Sequence, residues 1–409
     1  MRKCLLCLSV LLTINLAGCS SLRDLAADLE FLADESVEYS LSVTGASGTG
    51  MVLIEHLNDA DASWINGYDV MIGGENITTL AAQSTRALLI FEDSNNDLMF
   101  QENEKFVMVD LDDFSPNEAI NVELRYQTEH IPLQLVNKPL KKLLNIQLFL
   151  SETGKLASLD DKRFSRESAT MGMWQPIQFF LEKNTGLYFL TPYDPQKIPV
   201  IFVHGINSTA LDFKPLIEQL DDTRYQAWVL NYPTSISLPL VSKGLANMVH
   251  KEMTEHKVKK IHIVAHSMGG LVVEDYLNQC AIGLNCQSIL SFTSISSPFG
   301  GVASAKSGVE YSPVVMPAWR ELNPDSEFIQ TLFDLKHHKP PHLLMFGYDG
   351  KGLINAESND GVIVLSSQLR HEAQQQATKV IGFNEGHVSI LSSDSIYQEI
   401  ELFWESTEE

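Results

Sequence analysis

Residues 264–270, Val-Ala-His-Ser-Met-Gly-Gly, directly follow a short apolar run that ends at Ile263. A strand that ends in His-Ser-Met-Gly and passes at once into a helix is typical of a nucleophile elbow, a sharp turn that exposes Ser267 above a sheet. Gly269 stands two residues after the serine, as the G-x-S-x-G pattern requires, whereas Ala265 replaces the first glycine. The alternative is a plain loop rich in glycine and serine, so the surrounding sequence has to decide.

From Gly186 onward, continuous apolar runs alternate with segments of helical period. The apolar runs lie at 198–203, 227–230, 260–263, 288–293, 342–346 and 378–382, and the helical segments at 211–220, 238–249 and 268–279. This alternation predicts a mostly parallel sheet that is covered by helices on both faces. We therefore expect residues 186–409 to form one α/β catalytic domain, with Ser267 at the carboxyl end of a strand.

Two residues downstream of Ser267 complete a candidate catalytic triad. A serine hydroxyl is a weak nucleophile at neutral pH, so it needs a general base and a group that orients the base. After a nucleophile elbow the acid comes first in the chain and the histidine second. Asp360 and His387 each follow a predicted strand, which brings both to the edge where Ser267 points. Asp349 is the alternative acid, although Gly-Tyr-Asp-Gly is equally a plain turn.

The remaining histidines are less suited to act as the base. None of them follows a strand near the end of the chain. His266 is expected to pack beside the elbow, and the others precede a strand or fall in a predicted helix: His337, His338, His342 and His371. We therefore retain His387.

An acyl-transfer site also needs N–H donors for the oxyanion. The Met268 N–H, at the start of the helix after the serine, is the first candidate. The second is expected in the loop His204-Gly205-Ile206-Asn207, where Gly205 permits a close turn and Ile206 supplies the N–H.

Several of these motifs together resemble the bacterial lipases and esterases of the α/β-hydrolase superfamily. The matching segments are His204-Gly205, Ala265–Gly270, Ser297-Pro-Phe-Gly-Gly301, Asn359-Asp-Gly-Val362 and Gly386-His387, within residues 186–404. The resemblance implies an α/β-hydrolase fold and ester hydrolysis through an acyl-enzyme, with no cofactor. It does not cover the N-terminal part of the chain, and Ala265 is its one departure within the elbow.

The first residues of the chain resemble a bacterial lipoprotein signal. Arg2 and Lys3 precede an apolar run over 5–16, which is too short for a comfortable transmembrane span. Leu-Ala-Gly-Cys then resembles a lipobox, which implies cleavage after residue 18 and lipidation of Cys19. We therefore expect anchoring in the bacterial cell envelope, and Ser20 resembles an outer-membrane sorting residue. The alternative is ordinary secretion with an incidental thiol at Cys19.

Two cysteines remain in the expected mature chain beyond Cys19. Cys280 and Cys286 are separated by five residues, and an oxidising compartment favours a disulfide between them. Two separate buried thiols are the alternative. No second pair of ligands stands at the spacing of a zinc site.

The acidic charge is concentrated in residues 20–130. This segment has 22 Asp and Glu against 4 Lys and Arg, whereas the whole chain has a formal net charge of −23. Such a surface repels nucleic acid and anionic head groups, so nucleic-acid binding is excluded. Short β-type runs separated by Gly, Asn and Asp turns predict a small β-sandwich-like domain over 19–150 after an amphipathic lead at 22–38. A linker is predicted over 151–185.

One turn in this acidic domain has the ligand spacing of a calcium loop. Asp93, Asn95, Asp97 and Glu104 match positions 1, 3, 5 and 12 of an EF-hand-type loop. Leu98 replaces the glycine that such a loop needs at its sixth position, and the flanks are predicted strands rather than helices. An ordinary acidic turn is therefore the alternative.

The sequence thus predicts a lipid-anchored serine hydrolase that acts on lipid or other acyl esters. An apolar insertion at 311–319 is interpreted either as a lid or as a cap packed permanently on the core. Thioesterase, amidase or acyltransferase activity of the same triad stays open, as does a non-catalytic role in which the acidic domain binds a protein partner. The sequence does not identify such a partner.

Overall fold

The computed structural model describes residues 21–29, 36–47, 51–57, 65–71, 76–82, 85–95, 97, 99–114, 119–128, 131–138, 153–282, 288–334, 339–350 and 357–408. They divide into two units. A β-rich unit holds the described residues between 29 and 149, and an α/β unit holds 21–28 and almost all of those after 150. Among the described helices, none has the length and apolar character needed to cross a bilayer.

The described residues of the β-rich unit form two sheets. Its strands are β1 (Ser36–Thr44), β2 (Met51–Leu57), β3 (Ile65–Met71), β4 (Asn76–Ala82), β5 (Ala87–Asp93), β6 (Lys105–Asp110), β7 (Ala119–Glu123) and β8 (Arg125–Tyr126). One sheet has the order β4-β1-β7 and the other β3-β2-β5-β6-β8. Inward-facing side chains from both sheets, such as Leu41, Ile54 and Ile90, share one apolar cluster. The sheets therefore pack face to face, as in a sandwich.

The N-terminal part of the chain differs from the sequence prediction in two places. Within the amphipathic lead predicted over 22–38, residues 21–29 form a helix, here α1, which belongs almost entirely to the α/β unit, and β1 begins at Ser36. Strands β3 and β4 were not predicted. Asn66, Gly67 and Asp69 disfavour a strand locally, and β3 forms because it pairs with β2 along its length.

An eight-stranded sheet forms the core of the α/β unit. Its strands are β9 (Lys155–Leu156), β10 (Gly186–Phe189), β11 (Ile198–Val203), β12 (Tyr225–Asn231), β13 (Ile261–His266), β14 (Ile289–Ile295), β15 (His342–Gly347) and β16 (Lys379–Phe383). Their order is β16-β15-β14-β13-β11-β12-β10-β9. Strands β11 to β16 are mutually parallel, and β10 is antiparallel to β12. The apolar residues of β10 to β15 are largely buried because helices cover both faces, whereas the edge strand β16 is partly exposed.

Eleven helices of the described chain complete this unit beside α1. They are α2 (Arg166–Trp174), α3 (Pro176–Leu181), α4 (Lys214–Ile217), α5 (Leu238–His256), α6 (Met268–Ile282), α7 (Ala303–Tyr311), α8 (Pro317–Leu322), α9 (Glu327–Thr331), α10 (Leu365–Gln368), α11 (His371–Gln376) and α12 (Asp394–Glu408). The helix predicted over 211–220 is divided into a 3-10 turn, Ala210–Phe213, and the short α4. This is the α/β-hydrolase fold.

The segment 151–185, predicted as a linker, forms β9, α2 and α3 and lies in the same unit as the parallel sheet. Phe164 is fully buried and packs edge-to-face on Tyr188 of β10, with ring centroids 5.7 Å apart. The α/β unit therefore includes residues 153–185 as well as those from 186 onward. Polar residues between its short helices gave this segment the composition of a linker.

Candidate active site

Ser267 lies in the turn between β13 and α6 with φ of +55°. This left-handed conformation is strained for a residue with a side chain, and it is characteristic of functional turns. A Cβ atom on Gly269 would lie 2.3 Å from the carbonyl oxygen of Val203, so only glycine fits against β11. The turn therefore has the backbone geometry of the predicted nucleophile elbow.

His387 lies four residues after the end of β16. Its Nε2 atom is 2.9 Å from Ser267 Oγ, although 120 residues separate the two in sequence. The parallel strands end at one edge of the sheet, which is why the two loops meet there. The hydrogen bond aligns the hydroxyl proton of Ser267 with the imidazole that would accept it.

Asp360 lies on the other side of the imidazole. Its Oδ2 atom is 2.7 Å from His387 Nδ1, and its Oδ1 atom accepts the N–H groups of Val362 and Ile363 at 3.0 and 2.7 Å. Burial alone would raise the pKa of Asp360, but the hydrogen bond and charge of His387 and the two amides outweigh burial and lower it. The carboxylate therefore stays ionised and fixes the Nδ1–H tautomer of His387.

The structure joins Ser267, Asp360 and His387 through hydrogen bonds, and the described alternatives make other contacts. The backbone N–H of Asp349 donates to the carbonyl oxygen of Glu385, and His387 Nδ1 contacts Asp360 instead. His342 is buried against Ser294 Oγ at 2.8 Å, and His371 begins α11. His337 and His338 lie outside the described residues.

The loop after β11 approaches the nucleophile closely. A Cβ atom on Gly205 would lie 2.7 Å from the Cβ atom of Ser267. The Tyr232 hydroxyl donates to the carbonyl oxygen of His204 at 2.5 Å, and the Asn207 N–H donates to Thr234 Oγ1 at 3.1 Å. These bonds fix both sides of Ile206, the residue predicted to supply an oxyanion donor.

The Ile206 and Met268 N–H groups are the two predicted oxyanion donors. Within the described part of the chain, neither N–H donates to a protein acceptor. Met268 begins α6, where the first amides of a helix have no acceptor inside the helix. Both groups are therefore available to a substrate oxygen.

Sequence reasoning missed the contact made by His266. Its Nε2 atom is 2.8 Å from the carbonyl oxygen of His387, so it donates an N–H to the loop that holds the candidate base. Burial, followed by the charge of nearby His387, lowers the pKa of His266 to about 3. The ring is thus neutral. The only sequence signal was its position next to Ser267.

The calcium-like turn in the β-rich unit is closed by its own hydrogen bonds. Glu104 accepts the N–H groups of Ser94 and Gln101 at 3.0 Å each, and Asp97 accepts that of Met99 at 2.9 Å. Over the residues the structure describes, no group of three or more His, Cys, Asp or Glu is arranged to bind a metal. The carboxylates act here as caps of an acidic turn.

Both cysteine predictions concern groups that the structure does not describe. Cys19 and Cys286 lie outside the described residues, as does the side chain of Cys280, whose backbone belongs to α6. Lipidation of Cys19 and the disulfide therefore stay predictions.

Part of the chain matches a known protein family. Residues 194–354 match the model of the family described as "Putative serine esterase (DUF676)". The stretch includes Ser267 and both candidate oxyanion donors but ends before Asp360 and His387. The match supports hydrolysis of an ester by a serine enzyme. Asp360 and His387 lie outside it and are identified as site residues by their hydrogen bonds alone.

Solved structures with similar folds include lipases and esterases. A mature lipase of Bacillus licheniformis is 17% identical, covers 53% of this chain and 97% of its own, and has a TM-score of 0.44. An esterase from Rhodococcus sp. is 14% identical over 54% of this chain and 94% of its own, with a TM-score of 0.38. A lipase-esterase related protein from Clostridium acetobutylicum is 15% identical over 53% of this chain and 99% of its own, also with a TM-score of 0.38. No curated protein matches the sequence.

Proposed function

We propose that this protein is a serine carboxylic-ester hydrolase that acts through an acyl-enzyme. The observation that carries the proposal is the continuous hydrogen-bonded relay from Ser267 Oγ through His387 to Asp360, with separations of 2.9 and 2.7 Å. A nucleophile, a base within hydrogen-bond reach and a group that orients the base are what nucleophilic catalysis by serine requires.

In the proposed reaction, Ser267 Oγ attacks the acyl carbonyl while His387 Nε2 accepts its proton. Asp360 keeps the Nδ1 proton in place and stabilises the imidazolium. His387 then returns the proton to the leaving alcohol, and water attacks the acyl-enzyme by the same route in reverse. The chemistry needs no cofactor.

The oxyanion of each tetrahedral intermediate is assigned to the N–H groups of Ile206 and Met268. Preorganised donors of this kind stabilise charge that develops in the transition state, and removing one costs on the order of 10²–10³-fold in kcat. The close approach of Gly205 to Ser267 and the unused amides support the assignment.

We also propose that the mature chain is lipidated at Cys19 and resides in the bacterial envelope, at the outer membrane. The charged start, the apolar run and the Leu-Ala-Gly-Cys tetrapeptide support this. A multiply acylated cysteine anchors a protein stably. An anchored enzyme would meet ester bonds of lipids at high local concentration, which makes acyl esters of lipids the proposed substrate class.

Labelling with a fluorophosphonate probe tests the proposal. The wild-type protein is expected to react and Ser267→Ala to be unreactive. Asp360→Asn is expected to react on the order of 10⁴-fold more slowly, because the imidazole loses its productive tautomer. Asp349→Asn is the matched control, since it removes the alternative carboxylate, which also lies between β15 and α10, and it is expected to react at the wild-type rate.

Two results would overturn the proposal. One is equal labelling of wild type and Ser267→Ala, and the other is a folded wild type that stays unlabelled both in buffer and in detergent micelles. A panel of p-nitrophenyl esters, thioesters and amides, with and without alcohol acceptors, then distinguishes ester hydrolysis from thioesterase, amidase and acyltransferase activity.

A further inference from the structure

Helix α1, which begins two residues after Cys19, is attached to the α/β unit. Leu25 is fully buried, although it lies in a helix of only nine residues. Asp24 Oδ2 accepts a hydrogen bond from Gln175 Nε2 at 3.1 Å, at the junction of α2 and α3. One apolar side chain and a polar contact therefore hold α1 against the unit that contains Ser267.

A second polar contact is made by Asp28, also on α1. The N–H of Ile177 donates to Asp28 Oδ2 at 3.0 Å. Ile177 is the second residue of α3, where a helix leaves amide donors unsatisfied, and Gln175 provides no side-chain cap. Asp28 thus supplies from α1 the cap that α3 lacks, which fixes the register of α1 on this surface.

The surface that receives α1 is connected to the candidate active site. The Ser235 hydroxyl donates to the carbonyl oxygen of Gly172 in α2 at 3.1 Å. Ser235 follows the end of β12, and its neighbour Thr234 accepts the N–H of Asn207 in the loop beside Ser267. Helix α1 therefore lies at the carboxyl end of the parallel strands, the same end as Ser267.

Large apolar side chains are exposed at this end of the sheet. Leu181 is 70% exposed at the end of α3, five residues before β10 begins, and the first residue of β10 pairs with the last residue of β12. Tyr311 is 80% exposed in the insertion after β14. The insertion continues into α8, where the N–H of Ala318 donates to the carbonyl oxygen of Ser235. Exposed apolar groups thus lie on α3, which Asp28 of α1 caps, and on α7, the helix before α8, which contacts the loop after β12.

We propose that this end of the α/β unit is a membrane-facing surface, with a phospholipid bilayer as its partner, and that the substrate ester enters from that bilayer. The inference rests on the proposed hydrolase function and on lipidation of Cys19. Two residues span at most about 7 Å, so acyl chains on Cys19 would insert within that distance of α1. Because α1 is docked, the anchor also orients the carboxyl end of the sheet towards the membrane.

The first experiment measures binding to vesicles and is independent of catalysis. The mature chain with Cys19→Ala is sedimented with phosphatidylcholine vesicles. We expect the double variant Leu181→Ser/Tyr311→Ser to reduce the bound-to-free ratio about tenfold, because two exposed apolar groups no longer enter the bilayer. The matched control is Val380→Ser/Leu402→Ser. Val380, 39% exposed, is the second residue of β16, and Leu402, 58% exposed, lies two residues before Trp404, which stacks on His262 near the start of β13. Both lie towards the amino ends of the parallel strands, and this opposite-end variant is expected to bind like the parent.

The second experiment measures turnover by the full lipidated protein on two esters with the same leaving group. One is soluble p-nitrophenyl butyrate, and the other is p-nitrophenyl palmitate held in the vesicles. We expect Leu181→Ser/Tyr311→Ser and Asp24→Ala/Asp28→Ala to lower the palmitate-to-butyrate rate ratio at least about fivefold, with butyrate turnover unchanged. The opposite-end variant is expected to retain the ratio.

The outcomes separate this inference from the proposed function. Absence of butyrate turnover in the wild type would argue against the proposed hydrolase function. The sedimentation experiment would still test whether the proposed surface binds a bilayer, because it does not depend on catalysis. The inference would be overturned, even in an active enzyme, by either of two results. One is an equal loss of vesicle binding in Leu181→Ser/Tyr311→Ser and in the opposite-end variant, and the other is no vesicle binding by the parent.

Discussion

The Nε2 atom of His266 lies 2.8 Å from the backbone carbonyl oxygen of His387, and both residues are buried. The contact joins the residue before the candidate nucleophile to the loop that presents the candidate base. A carbonyl oxygen only accepts, so the neutral imidazole of His266 carries its proton on Nε2. The elbow and the base loop are therefore fixed to each other through the backbone, in addition to the bond between Ser267 and His387.

The first prediction concerns this positioning contact. His266→Leu is expected to lower kcat about 10–100-fold with little change in KM, because a buried carbonyl loses its donor and the base loop loses its register. His266→Gln keeps an N–H donor and is expected to recover part of that loss. Steady-state kinetics on a soluble short-chain ester measure both. A loss confined to KM, or equal losses in the two variants, would contradict a positioning role.

The second prediction concerns the close approach of Gly205 to Ser267. Gly205→Ala places a methyl group 2.7 Å from the Cβ atom of Ser267, so the loop has to retreat and carries the Ile206 N–H away from the site. We expect kcat to fall at least about 100-fold, the usual effect of losing an oxyanion donor. Kinetics and thermal unfolding measured together distinguish this from a loss of folded protein.

Gly244→Ala is the matched control for that substitution. A Cβ atom there meets no atom within 4 Å, and alanine favours the interior of α5 by about 1 kcal/mol over glycine. This variant is expected to keep full activity with a slightly raised Tm. Wild-type activity in Gly205→Ala would refute the assigned oxyanion donor.

The sequence was most informative where the signal is local. Continuous apolar runs marked β11 to β16, because parallel strands buried on both faces need apolar side chains throughout. The same reasoning placed Asp360 and His387 in loops at the carboxyl ends of strands, and in the structure His387 contacts Ser267 while Asp360 contacts His387. Chain order and the strand ends suggested these loops, and the choice of Asp360 over Asp349 rested also on the motif Asn359-Asp-Gly-Val362 and on room for the loop to turn back.

Elements and contacts that depend on residues distant in the chain could not be predicted from the local sequence. Strands β3 and β9 owe their formation to the neighbours with which they pair, and β9 is only two residues long. The bond from His266 to His387 spans 121 residues and has no local signature. The hydrogen bond by which Asp28 caps α3 spans 149 residues, so the local sequence of 151–185 gives no sign of it. Considered alone, that segment has the composition of a linker.

The third prediction concerns the end of α12. Glu408 accepts hydrogen bonds from His262, Tyr225 and Arg224 at 3.3, 2.7 and 3.1 Å. The bond from His262, followed by those from Tyr225 and Arg224, lowers the pKa of Glu408 to about 2 against the opposing effect of burial. Because the folded-state pKa lies below the ordinary 4.5, the stabilisation is present above pH 4.5 and is lost as the pH falls towards 2.

Glu408→Gln is therefore expected to lower Tm by roughly 2–4 °C at neutral pH, and the difference from wild type should shrink steadily below pH 4.5. Thermal unfolding followed by circular dichroism between pH 2.5 and 7 measures this. Glu405→Gln removes a more exposed carboxylate that also contacts Arg224, and it serves as the control with a smaller effect. A constant difference across the pH range would show that Glu408 does not act through its charge.

The last prediction concerns Glu55 in β2 of the β-rich unit. Its side chain is completely buried, lies opposite Leu89 on β5, and neither of its oxygens has a hydrogen-bond partner among the residues that the structure describes. Burial raises the pKa of Glu55 from 4.5 to about 8. The folded unit therefore holds the neutral acid at neutral pH, whereas the unfolded chain holds the carboxylate.

A raised folded-state pKa gives stability that is fully present below pH 4.5 and is lost as the pH rises through 8. The free energy of unfolding falls by about 1.4 kcal/mol for each pH unit between the two pKa values, so the whole loss is on the order of 5 kcal/mol. Glu55→Gln mimics the neutral acid and is expected to flatten the pH dependence of the urea midpoint between pH 5 and 9. Glu102→Gln, an exposed position of the same unit, should leave that dependence unchanged. Parallel pH profiles for wild type and Glu55→Gln would mean that the carboxylate of Glu55 is ionised in the folded protein.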